Sequence, residues 1–121
     1  MNNYTTDELL EVLRPIASLI SKSQKAQQKL APGTWQHTML RDNLRALLIA
    51  SALMNKETDD TASFTQDDLQ AALDAFTSMI SKTDKALAKF APGTSQHTLL
   101  ANRLKALQIA EALIKAEFDE L

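Results

Sequence analysis

The stretch APGTWQHT at residues 31–38 returns as APGTSQHT at residues 91–98. At an offset of 60, 28 of the first 60 residues are identical to the residue sixty positions later, without a gap. A repeat of this kind indicates that one supersecondary unit occurs twice. We therefore predict a single domain at residues 1–121, with repeat 1 at 5–57, a polar linker at 58–64 and repeat 2 at 65–117.

The letters APGT predict a tight turn between two helices in each repeat. A residue before proline avoids the helical region, so Ala31 ends the first helix near Leu30. Pro32 and Gly33 suit the central positions of a type II turn, in which the glycine takes a positive φ. Thr34 is then placed to cap the second helix by accepting the backbone N–H of His37.

Apolar residues recur every three or four positions on both sides of each turn, which is the spacing of a helical stripe. Thr5 and Thr65 are the candidate N-caps of the first helices, and Pro15 predicts a kink. The stripe of repeat 2 extends to Phe90. The second helices are apolar over a wider arc, and their alanines favour close helix contact; these are Ala46, Ala50, Ala52, Ala106, Ala110 and Ala112.

One hairpin could not bury so wide an apolar arc, whereas two packed hairpins could. The predicted fold is therefore all-α: a four-helix bundle of two tandem, sequence-related αα-hairpins with approximate internal two-fold symmetry. The pattern does not decide whether the two hairpins point the same way.

Basic residues are concentrated around the two turns. Residues 22–45 and 82–105 each hold five basic residues against one acidic residue, although the whole chain has a formal net charge of −2. Helix dipoles account for lysines at the ends of the first helices, but Arg41 and Arg45 lie near the start of a helix, where the dipole favours anions. The alternative to a functional surface is a solvated basic face.

We expect the basic hairpin tips to bind an acidic or phosphate-bearing partner. The candidate binding residues are Lys22, Lys25, Lys29, Trp35, Gln36, His37, Arg41, Arg45, Lys82, Lys85, Lys89, Gln96, His97, Arg103 and Lys105. The histidines either help to cap their helices or contact the partner. Trp35 either anchors a partner or folds back over the turn.

Several other function classes have no support in the sequence. The chain has no cysteine and only two glycines, both in the turns, which excludes disulfides and a glycine-rich phosphate loop. No motif places a nucleophile beside a base, and the two histidines lack the H-x-x-x-H or E-x-x-H spacing of metal sites on helices. We therefore expect no enzymatic activity, no metal and no cofactor.

His97, followed by Thr-Leu on a predicted helix, slightly resembles the histidine phosphotransfer domains. Those domains carry the phospho-accepting histidine in mid-helix, usually followed by Lys-Gly. Here TMLRD follows His37 and TLLAN follows His97, so neither copy has the Lys-Gly pair. The resemblance implies phosphoryl transfer, which we rank last among the candidate functions.

A protein is the first expectation for the partner, and a small anion is the second. The net charge and the pI near 5.6 argue against a general nucleic-acid binder, although each tip could contact a few phosphates. Leu10, Val12 and Leu48 make repeat 1 more apolar than repeat 2, so a structural or self-associating bundle, such as a homodimer, is the alternative. These residues could instead widen the core.

The expected location is the cytoplasm, without a membrane. The N-terminus MNNYTTDELLEVL lacks the basic segment and apolar core of a signal peptide. No apolar run approaches the roughly 20 residues that a helix needs to span a bilayer.

Overall fold

Four helices form the parts of the chain that the computed structural model describes, which are residues 5–55 and 64–120. They are α1 (Thr6–Gln28), α2 (Trp35–Asn55), α3 (Gln66–Leu87) and α4 (Ser95–Asp119). The prediction of an all-α four-helix bundle is confirmed. We call α1 and α2 hairpin 1, and α3 and α4 hairpin 2. The predicted linker at 58–64 lies outside the described residues except for Phe64, and the two-fold symmetry stays a prediction.

Threonine caps start α1 and α3, as the sequence predicts. The Thr5 hydroxyl oxygen accepts the N–H of Glu8 at 3.1 Å, and the Thr5 N–H donates to the Glu8 carboxylate at 3.1 Å. Thr65 and Asp68 make the same reciprocal pair. Each capping box satisfies backbone donors that the first turn of a helix leaves free.

The APGT turns have the predicted geometry. Gly33 has a φ of 91° and Gly93 a φ of 92°, and the Thr34 N–H donates to the Ala31 carbonyl at 3.3 Å, as in a type II turn. The Thr34 hydroxyl oxygen accepts the N–H of His37 at 3.2 Å, which confirms the predicted cap. The first helix ends at Gln28, and a turn continues to Leu30.

Replacing either turn glycine by alanine should lower the free energy of unfolding by about 1–2 kcal/mol, the usual cost of a left-handed conformation for a residue with a Cβ. A Cβ on Gly33 or Gly93 would have no atom within 4 Å, so the cost is conformational and not steric. Urea denaturation measures the effect. Gly33→Asn is the control and should cost less, because asparagine tolerates a positive φ better than alanine. Equal stability of Gly33→Ala and the natural protein would contradict this explanation.

The buried core lies mainly away from the turns. It takes residues from the first halves of α1 and α3 and from the second halves of α2 and α4. Its largest fully buried side chains are Leu9, Ile16, Leu47, Leu69, Phe76, Leu107 and Ile114. The predicted apolar faces are thus confirmed in the half of the bundle that lies away from the two turns.

Leu10, Val12 and Leu48, which the sequence assigns either to an outer apolar surface or to a wider core, divide between the two interpretations. Val12 is only 7% exposed and belongs to the core, whereas Leu10 and Leu48 are exposed. One sequence-based assignment is wrong. Phe90 was assigned to the buried stripe, but it follows the end of α3 and is 39% exposed. The helix ends three residues before Phe90, so the helical spacing no longer determines where its side chain points. The helix α1 continues through Pro15, and a kink there stays a prediction.

Each helix packs against its hairpin partner, and the hairpins meet through α2 with α3 and α1 with α4. The helices α2 and α4 also contact each other across the bundle. Four alanines of these two helices are almost completely buried, namely Ala46, Ala50, Ala106 and Ala110. Small side chains allow two helix backbones to approach closely, as the sequence predicts.

Candidate binding surface at the hairpin tips

Both turns lie at the same end of the bundle. The Lys82 ammonium group near the end of α3 lies 3.1 Å from the sulfur of Met39 near the start of α2. Farther from the turns, Arg45 of α2 forms an ion pair with Asp68 at the start of α3. The helices α2 and α3 are therefore antiparallel, which places the two turns together. We call this the tip end and the opposite end of the bundle the open end.

Six lysines of the tip end are exposed: Lys22, Lys25, Lys29, Lys82, Lys85 and Lys89. Within residues 5–55 and 64–120, none of them forms an ion pair. Arg41 pairs with the neighbouring Asp42 at 3.6 Å, and Arg103 is half-buried. The uncompensated positive charge of the tip end thus comes mainly from lysines.

Arg45 and Lys105 lie against acidic residues of the other hairpin. Besides the ion pair of Arg45 with Asp68, Lys105 lies close enough to Glu8 to help lower the pKa of the Glu8 carboxyl. The largest cause of that lowered pKa is the hydrogen bond from the Thr5 backbone. The pKa of Asp68 is lowered mainly by the Thr65 backbone and also by Arg45. These two candidate residues therefore connect the hairpins, in addition to any contact with a partner.

The side chains of the repeated Gln-His pairs take no part in the helix caps of Thr34 and Thr94. The hydroxyl of Thr34 or Thr94 accepts the backbone N–H of the histidine, and neither imidazole ring is hydrogen-bonded to any residue in the described ranges. Both rings are half-buried, while the Gln36 and Gln96 side chains are exposed. The helix cap thus explains the threonines but not the residue types Gln and His. A contact role for these four residues stays a prediction.

Trp35 is 70% exposed and does not fold over the turn. It borders an open groove of about 490 Å³ between α2 and α3, which Met39, Ala71, Ala75 and Ser78 also line. An exposed tryptophan beside a groove has the geometry of an interface anchor. The anchor role of Trp35 stays a prediction.

The tip half of the bundle is also less completely packed than the open half. Four leucines of α2 and α4 that the helical pattern assigns to the apolar face are only half-buried, namely Leu40, Leu44, Leu100 and Leu104. Leu99 is 55% exposed, and sequence reasoning did not single it out. The available signal was its position just outside the helical stripe of Leu100, Leu104 and Leu107. The tip end therefore combines lysines with accessible apolar surface.

No family model, curated protein or solved structure matches the chain. Among the described residues, none of the helices combines the length and the hydropathy that crossing a membrane requires. The same residues contain no group of three or more histidine, aspartate or glutamate side chains that could hold a metal ion.

Proposed function

We propose that this chain is a non-enzymatic helical interaction module that binds an acidic or phosphate-bearing protein through its tip end. The observation that carries the proposal is a set of six exposed lysines, around two turns at one end of the bundle, that have no carboxylate partner among the described residues. Such a surface attracts anionic groups and increases the rate of encounter with them. The cytoplasm is the compartment we expect.

Trp35 would supply the apolar part of the contact. Its exposed indole lies beside the groove between α2 and α3, and tryptophan is among the residues that contribute most to binding energy at interfaces. The second tip has Ser95 at the same repeat position. We therefore expect the two tips to contact different parts of the partner, with the lysines common to both.

We do not propose phosphoryl transfer. His37 and His97 are each the third residue of their helix, in the first turn, whereas the resemblance to phosphotransfer domains requires a histidine in mid-helix. The N-terminal position also places the rings near the positive end of the helix dipole. Neither ring therefore lies where the resemblance would place a phospho-accepting histidine.

Reversing four tip lysines, in the variant Lys25→Glu, Lys29→Glu, Lys85→Glu and Lys89→Glu, should weaken binding of poly-L-glutamate and of inorganic polyphosphate about 30-fold. The estimate assigns about 0.5 kcal/mol to each of four exposed ion pairs. Trp35 is the one tryptophan of the chain, so its fluorescence can report the titration at the tip itself.

The matched control replaces the same four lysines by arginine, which keeps the charge and should keep the affinity within a few-fold. Both variants are then used to capture proteins from a nuclease-treated lysate. Proteins that bind the natural and arginine forms but not the glutamate form are candidate partners. Equal affinity of the glutamate and natural forms for both probes, together with an unchanged set of captured proteins, would refute the proposed function.

A further inference from the structure

The two ends of the bundle carry opposite charges of equal size. The tip halves of the hairpins, residues 22–45 and 82–105, contain ten basic and two acidic residues, a formal charge of +8. The remaining described residues, at 5–21, 46–55, 64–81 and 106–120, contain ten acidic and two basic residues, a formal charge of −8. Because both turns lie at one end, these charges belong to opposite halves of the bundle, which meet where Arg45 pairs with Asp68 and Lys105 lies near Glu8.

From this complementarity we infer that the tip end binds the open end of a second copy of the chain, so that copies associate head to tail. The inference rests on the proposed function, because it requires the tip lysines to bind carboxylates. Beyond that function, the inference identifies one acidic partner, namely a second copy of the chain. Charge complementarity between two surfaces guides their association and fixes their relative orientation.

Both ends also expose apolar side chains that such a contact could cover. Trp35 is 70% exposed and Leu99 is 55% exposed at the tip end. Leu10, which is 54% exposed, lies near the start of α1, where Asp7 and Glu11 are exposed as well. An apolar contact surrounded by ion pairs is the usual arrangement of a protein interface.

A head-to-tail contact joins two different surfaces and leaves one surface of each kind free at the ends of the assembly. Association should therefore continue beyond the dimer as the concentration rises, unless the geometry closes a ring. Because the contact is mainly electrostatic, it should weaken at high ionic strength.

Sedimentation velocity over a concentration series, at ionic strengths of about 0.01 M and about 1 M, tests the inference. We expect the natural protein to associate at low ionic strength and to dissociate at high ionic strength. The tip variant described above should raise the apparent dissociation constant about 30-fold or more. The arginine form should associate like the natural protein.

A second variant alters the open end instead, with Asp7→Lys, Glu11→Lys, Asp67→Lys and Glu117→Lys. It leaves the capping residues Glu8 and Asp68 unchanged and should also be monomeric alone. An equimolar mixture with the tip variant should associate again, because each variant supplies one unaltered end. With Trp35→Ser added to the tip variant, the remaining tryptophan belongs to the unaltered tip end, and acrylamide should quench it less in the mixture.

Circular dichroism and a cooperative thermal transition establish that each variant is folded. If the lysine substitutions at the open end prevent folding, the uncharged set Asp7→Asn, Glu11→Gln, Asp67→Asn and Glu117→Gln replaces them, with a smaller expected loss of association. A natural protein that is monomeric at low ionic strength across the series would overturn the inference, as would association that survives reversal of the tip lysines.

The proposed function and the inference can fail separately. A monomeric natural protein whose tip lysines still bind poly-L-glutamate would assign the tip end to a different acidic partner. A protein that neither associates nor binds poly-L-glutamate or polyphosphate, and whose captured proteins do not depend on the tip lysines, would refute both statements.

Discussion

Replacing Phe76 by alanine should lower the free energy of unfolding by about 3–5 kcal/mol, which is the usual cost of truncating a fully buried phenylalanine. Its side chain is 0% exposed and belongs to the core that both hairpins build. Truncation removes apolar burial and leaves a cavity that helices on all sides can only partly fill. A typical domain is stable by about 5–15 kcal/mol, so this single substitution removes a large share of the total.

The matched control is Phe90→Ala, which removes the same atoms from a residue that is 39% exposed. It should cost clearly less, about 1 kcal/mol or below, because less apolar area returns to water. Urea denaturation followed by far-UV circular dichroism gives both values, and an unchanged slope against urea indicates that the comparison is valid. Similar losses for the two variants would mean that Phe76 is not the centre of the core.

Local structure was predictable because short-range rules determine it. The proline and glycine of APGT restrict the backbone of the turn, and the threonine that follows has one nearby N–H to accept. Thr5 and Thr65 precede acidic residues that suit the first turn of a helix, which makes both threonines N-cap candidates. None of these predictions depends on residues far away in the chain, and the structure confirms each of them.

Residues at the ends of helices and on their flanks were harder to assign. The pattern of apolar spacing gives Val12 and Leu10 similar weight, yet Val12 is buried and Leu10 is exposed. Which of two residues two positions apart faces the core depends on the rotation of α1 against its neighbours α2 and α4, and packing between helices determines that rotation. Phe90 has no helical register, because α3 ends at Leu87.

The candidate surface could be predicted in its residues but not in its arrangement. The order of residues in the sequence alone places the lysines next to the turns. That both tips lie at the same end of the bundle depends instead on contacts between residues more than twenty positions apart, such as Arg45 with Asp68. Those contacts also distinguish Arg45 and Lys105, which have acidic neighbours in the other hairpin, from the six lysines, which form no ion pair within residues 5–55 and 64–120. The charge pattern does not contain that distinction.

Replacing Ala110 by leucine, or Ala50 by leucine, should lower the free energy of unfolding by about 1–3 kcal/mol, because a larger side chain overpacks a filled interior. Both alanines are 0% exposed, on the two helices that contact each other across the bundle. The double variant should lose about 2–6 kcal/mol if the two effects add. Thermal and urea denaturation measure these losses.

The control for the contact between α2 and α4 is Ala112→Leu. Ala112 is on the same helix as Ala110 but is exposed, so this substitution should change the free energy of unfolding by no more than about 0.5 kcal/mol. A neutral Ala110→Leu would contradict close packing of α2 against α4. The packing of α2 against α4 matters for binding because the lysines lie at the ends of α1 and α3, and each turn joins one of those ends to the start of α2 or α4. The spacing of α2 and α4 therefore helps to set the distance between the two groups of lysines. A folded overpacked variant should therefore bind a long poly-L-glutamate, which can span both tips, more weakly than the natural protein does. Its affinity for a short glutamate peptide, which reaches one tip only, should change less.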